Sequence, residues 1–161
     1  MVEYCEVTDE DVSNWWGKKA YDKEKPNGNN TPLVIGNTVY LFGHYSDHLP
    51  DNSKKGTKGK VTGSANIQGP QTRVVFPIMN SRNEIGNQGK PPPIDGIREE
   101  YATVKNTPVP NNKRHNHTKT EQNNLYKGLW VCVMGLSSGD KITFGGKGDF
   151  GHESEAEWNI V

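Results

Sequence analysis

Leu125-Tyr-Lys-Gly-Leu-Trp-Val-Cys-Val-Met-Gly-Leu136 decides the fold class of this chain. It is an apolar run of aliphatic, β-branched and aromatic residues, the composition of a buried strand. Ser137-Ser-Gly-Asp140 follows as a turn, and Lys141-Ile-Thr-Phe144 opens a new strand. Gly145-Gly-Lys-Gly148 breaks the chain again, and residues 150–161 read as a final strand. Short β-rich runs punctuated by Gly, Ser and Asp are the pattern of an antiparallel sheet. In the last run Glu153, Glu155 and Glu157 alternate with Ala156, Trp158 and Ile160, which gives one wet face and one dry face and no reason to invoke catalysis.

Toward the N-terminus, Tyr4 to Val7 suits a short edge strand. Thr8 then precedes Asp9, Glu10 and Asp11, and Thr8-x-x-Asp11 fits a capping box, with acids where a helix start favours them. Val12, Trp15, Trp16 and Ala20 keep helical spacing, which predicts an amphipathic helix over residues 9–21. Leu33 to Ile35 and Thr38 to Tyr45 read as strands joined at Gly36-Asn37. Arg73-Val-Val-Phe-Pro-Ile-Met79 is another strand, in which Pro77 has no N–H to donate and so marks an edge or a bend. Ile94, Ile97, Tyr101 and Val104 recur at helical intervals after Pro93 and predict a second short helix. Residues 47–62, 81–93 and 106–124 are polar and read as long loops. The expectation is one domain over residues 1–161, an all-β antiparallel β-sandwich of jelly-roll type with one or two short peripheral helices.

Composition narrows the function classes. Hydrophobic residues make up 31% of the 161, close to the lower limit for independent folding, but they are clustered into runs. Nineteen basic residues balance nineteen acidic ones, so no general field draws the chain to nucleic acid or anionic lipid. Lys54, Lys55, Lys58 and Lys60 form a basic stretch without interleaved aromatics, which argues for a solvated loop over a nucleic-acid surface. No stretch reaches the ~20 apolar residues of a membrane span. No secretory signal precedes the acidic start, so the chain either stays inside the cell or is a trimmed, secreted mature form. Cys132 reads as a packed thiol within a strand, and a disulfide with Cys5 is the open alternative.

Histidines supply the sharpest chemical motif. His115-x-His117-x-x-x-Glu121, followed by Gly128, resembles the first metal-binding motif of cupins, in which two histidines and a glutamate hold a divalent transition metal inside a β-barrel. That resemblance implies a metal-dependent enzyme, with His44 or His152 as a further ligand. Three features oppose it. Val109 stands where the motif opens on glycine, Gly148-Asp-Phe-Gly-His152 lacks the second motif's spacing, and Asn111 to Asn124 contains no hydrophobic residue. A solvated loop with two surface histidines, and no cofactor, is therefore the preferred reading. His44 and His48 on a strand would stand ~13 Å apart, too far for one metal. There is no Gly-x-Ser-x-Gly elbow, zinc-type cysteine spacing, phosphate loop or EF-hand. Trp15 and Trp16 are candidates for stacking on sugar rings if exposed, against a default of core packing.

Asn14-Trp15-Trp16, Thr38-Val-Tyr-Leu-Phe-Gly43, Phe76-Pro-Ile-Met-Asn80, Gly135-Leu-Ser-Ser-Gly-Asp-Lys-Ile-Thr-Phe-Gly-Gly146 and the closing Glu157-Trp-Asn-Ile-Val161 together resemble a group of bacterial and archaeal β-sandwich proteins, many apparently exported and without an assigned activity. The resemblance implies a sandwich and brings no catalytic residues. The preferred function is a non-enzymatic binding or surface-associated module, with carbohydrate or another protein as ligand. The alternatives are the cupin-like enzyme and a structural protein that assembles through its edge strands.

Overall fold

The computed structural model describes residues 2–17, 30–43, 58–84, 99–121, 124–147 and 153–161. Its elements, in chain order, are β1 (Glu3–Cys5), α1 (Asp9–Gly17), β2 (Leu33–Ile35), β3 (Thr38–Tyr40), β4 (Lys58–Ala65), β5 (Arg73–Glu84) and β6 (Glu99–Val104). There follow β7 (Thr107–Pro108), a 3-10 turn (Asn111–Lys113), β8 (His115–Glu121), β9 (Asn124–Met134), β10 (Lys141–Lys147) and β11 (Glu153–Ile160).

The strands form two sheets packed face to face, the all-β sandwich that the apolar runs predict. One sheet has the order β1-β9-β5-β3-β2, and β8 also pairs with β9; the other has the order β4-β11-β10-β6-β7. Pairing is mixed, which corrects the purely antiparallel expectation: β3 runs parallel to β5, and β4 runs parallel to β11. Hairpin-based reading of the sequence finds antiparallel neighbours only, whereas these two pairs are brought together by long connections.

β9 is the centre of the first sheet. Trp130, Val131, Cys132 and Val133 are all buried, so both of its faces are covered. Its odd-numbered residues face the second sheet with Phe76, whose ring stacks on Phe144 at 4.8 Å. Its even-numbered residues face α1, where Trp15 meets Trp130 edge-on at 5.5 Å. The second sheet exposes its other face, where Glu157 takes ion pairs from Lys141 and Lys60 while Ala156, Trp158 and Ile160 point inward. Trp158 donates its indole N–H to the Phe42 carbonyl at 2.9 Å and so links the two sheets.

α1 begins as its cap predicts: the Thr8 N–H donates to Asp11 Oδ2 at 2.9 Å, and the Asp11 N–H donates to Thr8 Oγ1 at 3.1 Å. Residues 18–21 of the expected helix lie outside the described residues. Pro77 sits at the register shift between Pro77 and Met79, a bulge at which the strand bends. Cys5 and Cys132, register partners on β1 and β9, form a disulfide, so Cys132 is not the packed thiol of the default reading.

Several predicted loops and one predicted helix are corrected. Tyr101 and Val104 lie on strand β6, where Ala102 and Val104 are buried and Tyr101 is exposed, a period of two that suits pairing with β10. Ile94 and Ile97 lie outside the described residues. The 47–62 loop gives way to β4 from Lys58 onward, and the 81–93 loop to β5 as far as Glu84. The 106–124 segment holds β7, the 3-10 turn and β8. β8 forms despite its polarity because β9 satisfies its backbone along seven paired positions. Among the described residues, no strand pairs with its other edge.

Candidate binding site

α1 is fastened to the outer face of the first sheet by one carboxylate. Asp11, 3% exposed, accepts from Arg73 Nη2 at 2.7 Å, Arg73 Nη1 at 3.1 Å and the Tyr40 hydroxyl at 2.8 Å. Burial alone would push its carboxyl up, but the hydrogen bonds from Arg73, the Thr8 N–H and Tyr40, with the Arg73 charge, hold it below the usual carboxylate range. Tyr40 is pushed up to about 12, by burial first and then by the hydrogen bond to Asp11 and its charge. Trp15 adds a bond from its indole N–H to the Leu41 carbonyl at 2.9 Å. These contacts fix the orientation of the helix, and with it the side chains that α1 presents toward β8.

Beside that anchor lies a row across three strands. His117 on β8 pairs with Gly128 on β9, and Gly128 pairs with Asn80 on β5, so all three point to the α1 side. Gly128 has no side chain, and the Trp130 indole lies over it; a Cβ there would collide with Trp130 Nε1 and would stand 3.0 Å from Asn80 Cβ. The glycine inside an otherwise apolar strand thus marks a close approach. Two donors lie beside this glycine, Trp130 Nε1 and Asn80 Nδ2; both are buried, and neither has an acceptor among the described residues. A buried N–H without a partner is costly, and such groups in folded proteins call for an explanation.

The surroundings of this row are mixed. His117, 7% exposed, holds Asp9 at 3.0 Å between Nε2 and Oδ1, and the Asp9 side chain is largely in solvent. Half-buried Trp16 meets Tyr126 edge-on at 5.3 Å and Trp15 at 4.9 Å. Indole faces beside an imidazole, a carboxylate and an amide give a surface that is apolar in one part and hydrogen-bonding in another.

The residues singled out from sequence fall into three groups. Trp15 is buried in the core, and Trp16 stands half-buried. His115 and His117 share a face of β8 with ring centroids 6.3 Å apart, but His115 is exposed while His117 turns to Asp9. His44 and His152 lie outside the described residues, as does the side chain of Glu121. Among the described residues, no three His, Cys, Asp or Glu side chains converge as a metal ion would require. Also among them, no helix is long and apolar enough to cross a membrane.

Sequence reading passes over Tyr126 and Asp9, and it meets Gly128 and Asn80 only as motif positions, not as site residues. The one signal in the chain is the combination of a glycine within the β9 run and an asparagine closing Phe76-Pro-Ile-Met-Asn80, whose register only the folded sheet supplies. A scan against family models finds no match, and searches of curated proteins and of solved structures find none either.

Proposed function

We propose that this chain is a non-enzymatic binding module of jelly-roll type, and that its ligand is carbohydrate taken at the face where α1 lies beside the β8-β9-β5 row. The observation that supports this reading is the Trp16–Tyr126 pair, on the same face of the first sheet as His117 and Asn80. A sugar ring offers an apolar face of C–H bonds and an edge of hydroxyls, and Trp and Tyr suit that division because each has an apolar body and a polar tip. The binding so described needs no metal and no nucleophile. The proposal includes membership of the exported β-sandwich group that the sequence motifs resemble. The Cys5–Cys132 disulfide supports placement in an oxidising compartment, because such bonds persist there and are reduced in the cytosol.

A glycan array probed with the wild-type chain and with Trp16→Ala tests the reading. Retention of at least one glycan class, reduced tenfold or more by Trp16→Ala while the far-ultraviolet spectrum is unchanged, is the expected result. Retention of no glycan by the wild-type chain overturns it, and a protein ligand then becomes the hypothesis to pursue.

A further inference from the structure

We infer that the outer face of the second sheet carries a site for the arginine side chain of a partner polypeptide, formed by Tyr101 on β6 and Glu155 on β11. This surface belongs to the sheet away from α1, so it neither needs nor limits the carbohydrate reading. Tyr101 pairs with Gly145, and Gly145 pairs with Glu155, so the three form one row across β6, β10 and β11. Gly145 brings no side chain between the other two, and a Cβ there would collide with the Ser154 carbonyl oxygen. Strand spacing sets the Tyr101 and Glu155 backbones roughly 9–10 Å apart, a span that a ring and a carboxylate flank from either side. Burial and then the Glu155 charge push the Tyr101 hydroxyl up, so the field of that carboxylate reaches the ring.

Glu155 is the carboxylate that its neighbours leave over. On one side of the row, Glu157 receives Lys60 at 3.3 Å and Lys141 at 2.8 Å. On the other, Lys147 lies 3.6 Å from Glu99 and 3.7 Å from Glu153. Glu155, exposed between these two paired rows, takes no ion pair and no hydrogen bond among the described residues. Tyr101 is 38% exposed and so offers part of its ring to solvent. An exposed ring beside an unpaired carboxylate suits a cation that stacks and donates at once. A guanidinium does both: it is planar, weakly hydrated, and forked to meet a carboxylate, whereas an ammonium is a compact and strongly hydrated point charge. The face is open, so a free small cation would be held from one side only. A polypeptide that carries the cation adds contacts with the paired rows on both sides.

The test is a titration of the full chain, followed in 1H–15N spectra, with a short capped peptide bearing one central arginine. Matched peptides carry lysine, or citrulline, which keeps the shape without the charge. The expected result is movement of the Tyr101, Gly145 and Glu155 amides with the arginine peptide, and binding about tenfold weaker with citrulline. The lysine peptide is expected to fall between the two. Glu155→Gln and Tyr101→Leu change exposed side chains, and each is expected to weaken the arginine peptide about threefold while the remaining resonances stay in place. Equal binding of the arginine and citrulline peptides, movement confined to other residues, no movement at all, or unchanged affinity in either variant overturns the site. Tighter binding of choline than of the arginine peptide at the same row overturns the polypeptide in favour of a small organic cation. The glycan array reads the other sheet, so its failure leaves this site standing, and failure here leaves the carbohydrate reading standing.

Discussion

Asp11→Ala is the perturbation that tests how α1 is held. In the folded chain, Asp11 accepts from two Arg73 nitrogens, the Tyr40 hydroxyl and the Thr8 N–H at 2.7 to 3.1 Å. Removing one partner of a buried ion pair costs about 3–5 kcal/mol, because the other charge is left uncompensated. Here the Arg73 side chain is 26% exposed and retains bonds to Thr38 Oγ1 and the Glu6 carbonyl, so solvent screening lowers the pair's share to about 2–3 kcal/mol. Loss of the reciprocal cap with Thr8 adds about 1 kcal/mol. The expected destabilisation is therefore about 3–4 kcal/mol, read from urea denaturation with a Arg73→Ala variant and the double variant completing a cycle. Strict additivity in that cycle, or a loss below about 1 kcal/mol for Asp11→Ala, would refute the anchoring role.

The pH dependence gives a second reading of the same carboxylate. Its value in the folded chain is held below the ordinary range, so the unfolded chain takes up the proton first as pH falls. The stabilisation is full above the unfolded value of about 3.9 and is lost as pH drops through the folded one. The gap between wild type and Asp11→Asn is thus constant near neutrality and narrows below about pH 4. A gap that stays constant into strong acid contradicts the assignment.

Two further outcomes follow from the same face of the sheet. The disulfide joins positions 127 residues apart, and removal of so long a cross-link is expected to cost about 2–4 kcal/mol, seen as a lower urea midpoint in reductant or in Cys5→Ala; an unchanged midpoint would show that the bond does not constrain the unfolded chain. Tyr40 titrates at about 12 when folded against about 10 unfolded, so the folded state keeps its proton longer. Stability is accordingly level up to about pH 10 and falls by about 2–3 kcal/mol toward pH 12, whereas Tyr40→Phe stays flatter; parallel curves would refute this.

Legibility in the sequence followed the type of interaction. Local signals were readable: Thr8 and Asp11 cap α1 reciprocally, Gly36 with φ +58° turns β2 into β3, and Ser137 donates to Asp140 at 2.8 Å in the predicted turn. The alternation in β11 also placed its faces correctly. The segment after Pro93 misled because Tyr101 and Val104 are three residues apart, while the decisive turn at Lys105 and Asn106 has no glycine. Both residues adopt left-handed conformations, φ +54° and +61°, which is the two-residue hairpin geometry usually signalled by Asn-Gly. β8 was invisible for a different reason. A polar edge strand carries no periodic apolar pattern, and its existence depends on the backbone that β9 offers it. The site itself depends on register, since His117, Gly128 and Asn80 come from positions 117, 128 and 80 and meet only through two ladders.

The anchor and the His117 side of the face are separate in their chemistry but joined through one short helix. α1 has nine residues, too few to hold helical form in water without packing. Its place is set by Asp11 and Trp15, which reach Tyr40, Arg73 and Leu41 on the β3-β5 side. Its other side chains, Asp9 and Trp16, reach His117 on β8 and Tyr126 on β9. The helix therefore spans the outer face of the sheet, fastened at one edge and reaching β8 and β9 at the other. A change at Asp11 that leaves Asp9 and Trp16 intact is still expected to shift both, because Asp11 and Trp15 set the position of the helix that carries them. On the proposed reading, binding and helix anchoring are expected to fall together in Asp11→Ala, although Asp11 itself faces Arg73 and Tyr40 and not β8.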